Sequence, residues 1–121
     1  MRIEHVNMTV SDVAASADFY RQVFGFETRW EGLTGSGLRA IHLGTDDSYL
    51  SLFEAKGPGS APADYGSVGF NHLGFVVEDL DAYRGTLDRM GVAVQVPEDY
   101  DPGRRLYFFD PDGIEIELVE Y

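Results

Sequence analysis

The sequence predicts an α+β protein made of two βαβββ modules that together form a curved mixed sheet with one concave face. Three observations carry this expectation. The run His5-Val6-Asn7-Met8-Thr9-Val10-Ser11-Asp12-Val13 returns at an offset of 67 as His72-Leu73-Gly74-Phe75-Val76-Val77-Glu78-Asp79-Leu80, matching a histidine, an aspartate and four apolar positions. The ends of the halves match as well, since Leu50-Ser51-Leu52-Phe53-Glu54 corresponds to Ile116-Glu117-Leu118-Val119-Glu120 at an offset of 66. Within each half, period-two apolar stretches flank one stretch with helical spacing.

The first half opens on alternation, with Val6, Met8 and Val10 apolar and His5, Asn7 and Thr9 polar or ionisable between them. That is a strand with one apolar and one polar face. Ser11 or Asp12 is placed to cap a helix whose apolar positions Val13, Ala17, Tyr20 and Phe24 recur at three-to-four spacing, and Gly25 suits its C-terminal stop. Three strands are expected next, near residues 26–31, 38–44 and 48–54, separated by glycine-rich and Thr45-Asp46-Asp47 turns. The chain reads as a single domain over residues 1–121, with module 1 at about 1–55, a Gly- and Pro-bearing linker at about 56–67, and module 2 at about 68–121.

The second half repeats the order. A strand is expected over residues 70–77, then a helix over 80–90 with the stripe Leu80, Tyr83, Leu87 and Met90, stopped by Gly91. Strands near residues 92–96, 105–109 and 114–120 follow, the last two joined by the turn Asp110-Pro111-Asp112-Gly113, where proline fixes φ and glycine tolerates positive φ.

Composition narrows the function classes. A chain of 121 residues that is 44% hydrophobic suits one soluble domain burying roughly two thirds of its unfolded surface. With 21 acids against nine bases and a net charge of −12, a phosphate backbone would be repelled, so no nucleic acid partner is expected. No apolar run approaches the roughly 20 residues of a membrane span, and the expectation is a cytoplasmic protein without a membrane partner. Cysteine is absent, so any metal must be held by His, Asp or Glu.

Alternation assigns side chains to surfaces. Ile114, Ile116 and Leu118 should pack on a helix, which turns Glu115, Glu117 and Val119 to the other face. Glu117 then shares the polar face with His5 and His72, together with Tyr49, Ser51 and Phe53 of one strand and Tyr107 and Phe109 of another. Two imidazoles and one carboxylate are the ligand set of a catalytic ion with open positions, suited to Fe, Mn, Ni or Zn. The competing explanation is that both histidines are hydrogen-bonded strand residues and Glu117 is one of many surface acids. The repeat favours the ligand reading, because it puts the histidines at equivalent positions and brings first and last strands of a module together.

These motifs resemble the vicinal oxygen chelate superfamily, which includes glyoxalase I, extradiol dioxygenases, fosfomycin-resistance transferases and bleomycin-resistance proteins. The likeness spans the chain, from His5-Val6-Asn7-Met8-Thr9-Val10 and Asp18-Phe19-Tyr20 with Gly25-Phe26 to Asp110-Pro111-Asp112-Gly113 and Ile116-Glu117-Leu118. It implies one divalent ion per site on His5, His72 and Glu117, a small-molecule substrate and a homodimer. The family's fourth ligand position falls on Ser51, a departure from a glyoxalase I site, and His42 is the candidate substitute ligand or base. Leu106-Tyr107-Phe108-Phe109-Asp110-Pro111-Asp112-Gly113 is similar to an extradiol dioxygenase signature, without the histidine that signature places upstream of its tyrosine.

The function expected is therefore a glyoxalase-like, lyase- or isomerase-type metal enzyme on a substrate that chelates the ion through vicinal oxygens. Glu117 and His42 are the candidate catalytic groups, and Trp30, Tyr49, Ser51, Phe53, Tyr107 and Phe109 the candidate substrate-binding residues. The alternatives are a metal-free protein that sequesters a drug, as bleomycin-resistance members do, and an Fe(II) extradiol-type dioxygenase. A fosfomycin-type transferase needs clustered cations for a phosphonate, and Arg104-Arg105 is the only adjacent basic pair.

Overall fold

A computed structural model describes residues 1–59, 64–97 and 102–121, and the chain divides into two compact units, Met1–Ser60 and Ala61–Tyr121. The first unit runs β1 (His5–Val10), α1 (Val13–Phe24), β2 (Glu27–Leu33), β3 (Arg39–Gly44) and β4 (Tyr49–Glu54). Its sheet has the order β1-β4-β3-β2. β1 and β4 pair in parallel, His5 opposite Tyr49 and Asn7 opposite Ser51, as a helical crossover allows. The remaining pairs are antiparallel.

The second unit runs β5 (His72–Val76), α2 (Leu80–Arg89), β6 (Arg104–Phe109) and β7 (Glu115–Glu120). Its sheet has the order β5-β7-β6, so the first and last strands of this module also lie side by side and parallel. The strand expected at residues 92–96 is reduced to one bridge, in which Gln95 and Tyr107 exchange two backbone hydrogen bonds of 2.8 Å. Pro97 lacks the N–H with which such a ladder would continue. Residues 98–101, upstream of Tyr107, and residues 60–63 of the expected linker lie outside the described residues.

Each module fastens its helix to its last strand by the same device. Asp12 Oδ1 accepts from Ala15 N–H at 3.0 Å, which settles the cap between Ser11 and Asp12, and Asp79 Oδ1 accepts from Ala82 N–H at 2.9 Å. Glu54 Oε2 accepts from Val13 N–H at 3.1 Å, and its repeat partner Glu120 accepts from Leu80 N–H at 2.8 Å. Two carboxylates thus satisfy two of the unpaired donors at each helix start and complement its dipole. Arg39 reaches Glu54 at 3.7 Å and Arg104 reaches Glu120 at 3.3 Å, so the cation holding this carboxylate is repeated too.

The core follows from the alternation. Met8, Val10, Ile41, Leu43, Leu50 and Leu52 of the first sheet are buried with Val13, Ala17 and Tyr20 of α1. Leu106, Phe108, Ile116 and Leu118 of the second are buried with Leu80 and Leu87 of α2. Full burial of each Val, Leu, Ile, Phe or Met side chain among these contributes about 1.5–3 kcal/mol. Phe24, expected in the α1 stripe, is only half-buried and stacks on Phe26 at 4.8 Å, while Val23 takes the buried place. Gly25 ends α1 at φ 68°, its N–H donating to Arg21 O at 2.8 Å. Among the described residues, no helix is long and apolar enough to cross a membrane.

Candidate functional site

The second unit gathers its chemistry on the sheet face opposite α2. Register places His72 beside Glu115 and Gly74 beside Glu117, with Tyr107 across from Glu117 and Phe109 across from Glu115. His72 Nε2 lies 3.0 Å from Glu117 Oε2. The other oxygen of Glu117 accepts from Arg105 Nε at 2.8 Å, and both side chains of that pair are well buried, at 12% and 14% exposure. Glu117 is therefore flanked by His72 on β5 and Arg105 on β6. Tyr107 meets the His72 ring edge-on at 5.9 Å, and Phe109 is 47% exposed.

Behind His72 stands a further set of groups. Its Nδ1 lies 3.2 Å from the Tyr65 hydroxyl, which donates to Glu115 Oε1. Tyr65 comes from a turn closed by Asp64, whose carboxylate accepts from Gly66 N–H at 2.8 Å and from the Ser67 hydroxyl at 3.2 Å.

In the first unit, the equivalent face carries an aromatic and imidazole cluster. His5 stacks on Tyr49 at 5.0 Å. His42 lies 4.9 Å from Tyr49 and 4.9 Å from Trp30. The Arg29 guanidinium sits over the other ring neighbour, Tyr49, at 4.3 Å. Trp30 folds flat over its own strand because Gly32 has no side chain: a Cβ there would come within 2.7 Å of the indole. Ser51 is buried, and Asn7 donates to its carbonyl at 2.9 Å and to its hydroxyl at 3.4 Å. Phe53 pairs with Thr9 and Ala40 on the same face, whereas Glu54 serves the helix side, as its parity requires.

The electrostatics of this cluster favour a neutral imidazole at His42. Burial, then the neighbouring His5 and Arg29, lower its pKa from the usual histidine value. Glu4 is held below the usual carboxylate range by hydrogen bonds from His5 and Tyr49, the first at 2.9 Å from His5 Nδ1. Burial and the Glu4 charge raise the Tyr49 phenol.

The donor set can be tested against a divalent ion. Ligand bonds of about 2.1 Å at right angles separate two donor atoms by about 3 Å, and His72 Nε2 and Glu117 Oε2 stand at that spacing on neighbouring strands. Among the described residues, no group of three His, Cys, Asp or Glu side chains suited to hold an ion is found. Glu115 and Glu117 address opposite nitrogens of His72 and so do not complete one. His72, Glu117, Tyr107 and Phe109 lie on one face of the second sheet, and His5, His42, Trp30, Tyr49, Ser51 and Phe53 on one face of the first. Sequence reasoning missed Arg105, Tyr65, Glu115, Glu4 and Arg29 as partners. Parity with Tyr107 was an available signal for Arg105, and parity with Glu117 for Glu115; Tyr65 lies in a turn that carries no periodicity.

Two repeated modules, each with parallel first and last strands, and an imidazole–carboxylate pair on one face of the second define a class of duplicated α+β scaffolds. The sequence profile of the glyoxalase/bleomycin resistance protein/dioxygenase superfamily matches residues 2–118, and the chain belongs to that superfamily. It is 32% identical over 123 residues to the uncharacterized protein YwkD of Bacillus subtilis, covering 98% of this chain and 95% of YwkD. It is 28% identical over 120 residues to the metallothiol transferase FosB of Staphylococcus epidermidis, covering 96% of this chain and 81% of FosB. A glyoxylase/bleomycin resistance protein/dioxygenase domain from Frankia sp. EAN1pec superposes with a TM-score of 0.85 at 26% identity, over 99% of this chain and 97% of that domain. The fosfomycin resistance protein FosX of Listeria monocytogenes, in complex with Mn(II) and a dihydroxypropylphosphonic acid, shares the fold at 20% identity and a TM-score of 0.74, over 98% and 90% of the two chains.

Proposed function

We propose that this protein is a divalent-metal-dependent enzyme acting on a small oxygenated substrate that chelates the ion, with His5, His72 and Glu117 as its ligands. The observation that carries the reading is the 3.0 Å spacing of His72 Nε2 and Glu117 Oε2 on one sheet face. The family, the name of the FosB relative and the Mn(II) of FosX support it. The ion supplies Lewis acidity, stabilising negative charge that develops on a substrate oxygen. His42, whose pKa is lowered by burial and by His5 and Arg29, would accept a proton from the substrate and pass that same proton back, with Glu117 as its relay. Trp30, Tyr49, Phe53, Tyr107 and Phe109 would form apolar walls that select the substrate and exclude water, and Ser51, at the family's fourth ligand position, would supply no carboxylate to the ion. The active species is a cytoplasmic homodimer.

A second reading draws on a separate observation. The Arg105–Glu117 pair satisfies the carboxylate without an ion, which suits a protein that sequesters a drug and performs no chemistry. Transfer to a phosphonate is less favoured, because Arg104 and Arg105 point to opposite faces, Arg104 to Asp81 and Glu120 and Arg105 to Glu117.

The readings separate when apo-protein is loaded in turn with Fe(II), Mn(II), Ni(II) and Zn(II). Metal-dependent proton exchange between an α-carbonyl panel and deuterated solvent is expected. Oxygen uptake with catechols and Fe(II) alone would instead establish ring cleavage. Tight binding of a cationic drug with no turnover under any metal would establish sequestration.

A further inference from the structure

His72 has a carboxylate system on each side, and an imidazole with a single proton donates to only one of them. On the Nδ1 side the Tyr65 hydroxyl stands 3.2 Å away. The one proton of that hydroxyl goes to Glu115 Oε1, so the Tyr65 oxygen receives the His72 Nδ1–H. Glu115 itself is 3.7 Å from Nδ1, too far for a hydrogen bond. On the Nε2 side Glu117 Oε2 accepts directly at 3.0 Å if a proton is there.

We infer that Tyr65 is a positioning residue: accepting from Nδ1 and donating to Glu115, it holds His72 in the Nδ1–H tautomer and presents the Nε2 lone pair beside Glu117. The consequence is specific. An Nε2–H would bond to Glu117 Oε2 and occupy both donor atoms at once. The Nδ1–H tautomer leaves both as lone pairs 3.0 Å apart, which a bound cation or a donating water can bridge. The other module makes the same choice by a shorter route, since His5 Nδ1 lies 2.9 Å from the Glu4 carboxylate. In both repeats, therefore, Nδ1 has a carboxylate behind it, directly at His5 and through Tyr65 at His72, whose Nε2 faces Glu117. The partner of a ligand histidine's second nitrogen changes metal affinity by about 10–100-fold, and this consequence for affinity rests on the metal reading above, whereas the tautomer does not.

The test uses the full-length protein, uniformly 15N-labelled and metal-free at about pH 8, above the ordinary histidine range. Long-range imidazole N–H correlations report the His72 tautomer in wild type, Tyr65→Phe and Glu115→Gln. Wild type is expected to be mainly Nδ1–H, and Tyr65→Phe to shift to Nε2–H, because Glu117 is then the remaining acceptor in reach. Glu115→Gln keeps a carbonyl for the Tyr65 proton and is expected to retain most of the wild-type tautomer. Tyr65 is 66% exposed, so its loss is not expected to unfold the chain. Calorimetric titration with Zn(II) chloride is expected to show about 10–100-fold weaker binding to Tyr65→Phe. Identical tautomers in wild type and Tyr65→Phe, or weaker binding without a tautomer change, would overturn the inference. A tautomer switch in proteins that bind no Zn(II) at all would uphold the role of Tyr65 and overturn the metal reading instead.

Discussion

Glu117 answers to two partners, and its two oxygens divide the work: Oε1 to Arg105 and Oε2 to His72. Removing the guanidinium leaves a poorly hydrated carboxylate, so Arg105→Gln is expected to cost about 2 kcal/mol in metal-free protein, the scale of a charged hydrogen bond. The same variant should regain stability when Zn(II) is added, by more than wild type does, because bound ligand stabilises the folded state. Thermal unfolding with and without the ion measures both, and an Arg105→Gln protein as stable as wild type without metal would contradict the arrangement. His42 gives a pH-dependent counterpart. Its pKa is lowered on folding, so the unfolded chain takes up a proton first; its contribution to stability is complete above the ordinary histidine value of 6.5 and is lost as pH falls below it. His42→Gln should flatten that part of the melting-temperature profile, and an unchanged profile would sink the assignment. At this scale the sequence was informative where parity decides direction, as for His5, His72 and Glu117. It was silent on Tyr65, whose role depends on a turn meeting a strand 50 residues away at Glu115.

The elements were legible where a cap, a stripe and an alternation agreed. α1 and α2 begin after Asp12 and Asp79, and the strands that pair across each module carry apolar residues at every second position. The stretch around Gln95 shows the limit. Val92, Val94 and Val96 alternate as well as any strand, yet strand formation needs a partner edge, and among the described residues of this stretch only Gln95 bridges to Tyr107. What the sequence concealed was the repeated clip between strand and helix. If Glu54 and Glu120 act alike, Glu54→Ala and Glu120→Ala should each destabilise by about 1 kcal/mol, as loss of a helix cap does. Chemical denaturation measures this. A loss at one site and none at the other would show that the repeat is one of sequence without equal mechanical weight.

For the molecule as a whole, the duplication sets the expectations that reach beyond one unit. β2 is an edge strand of the first sheet and is exposed along its whole length, and such an edge invites a second copy. Light scattering at micromolar concentration is expected to give about twice the chain mass of 13.4 kDa, and a clean monomer would contradict the dimer. The doubling also explains why fold was far easier to read than chemistry: repeated apolar patterning specifies the scaffold, while the reaction depends on a few side chains by which the modules differ, such as Ser51 in place of Glu117. The most direct measurement is elemental analysis of protein purified without a histidine tag, in wild type, His5→Ala, His72→Ala and Glu117→Ala. One divalent ion per site in wild type, with occupancy lost in each variant, is the expected result. Wild-type stoichiometry retained in both His72→Ala and Glu117→Ala, or no ion in wild type after incubation with Mn(II) or Zn(II), would contradict it.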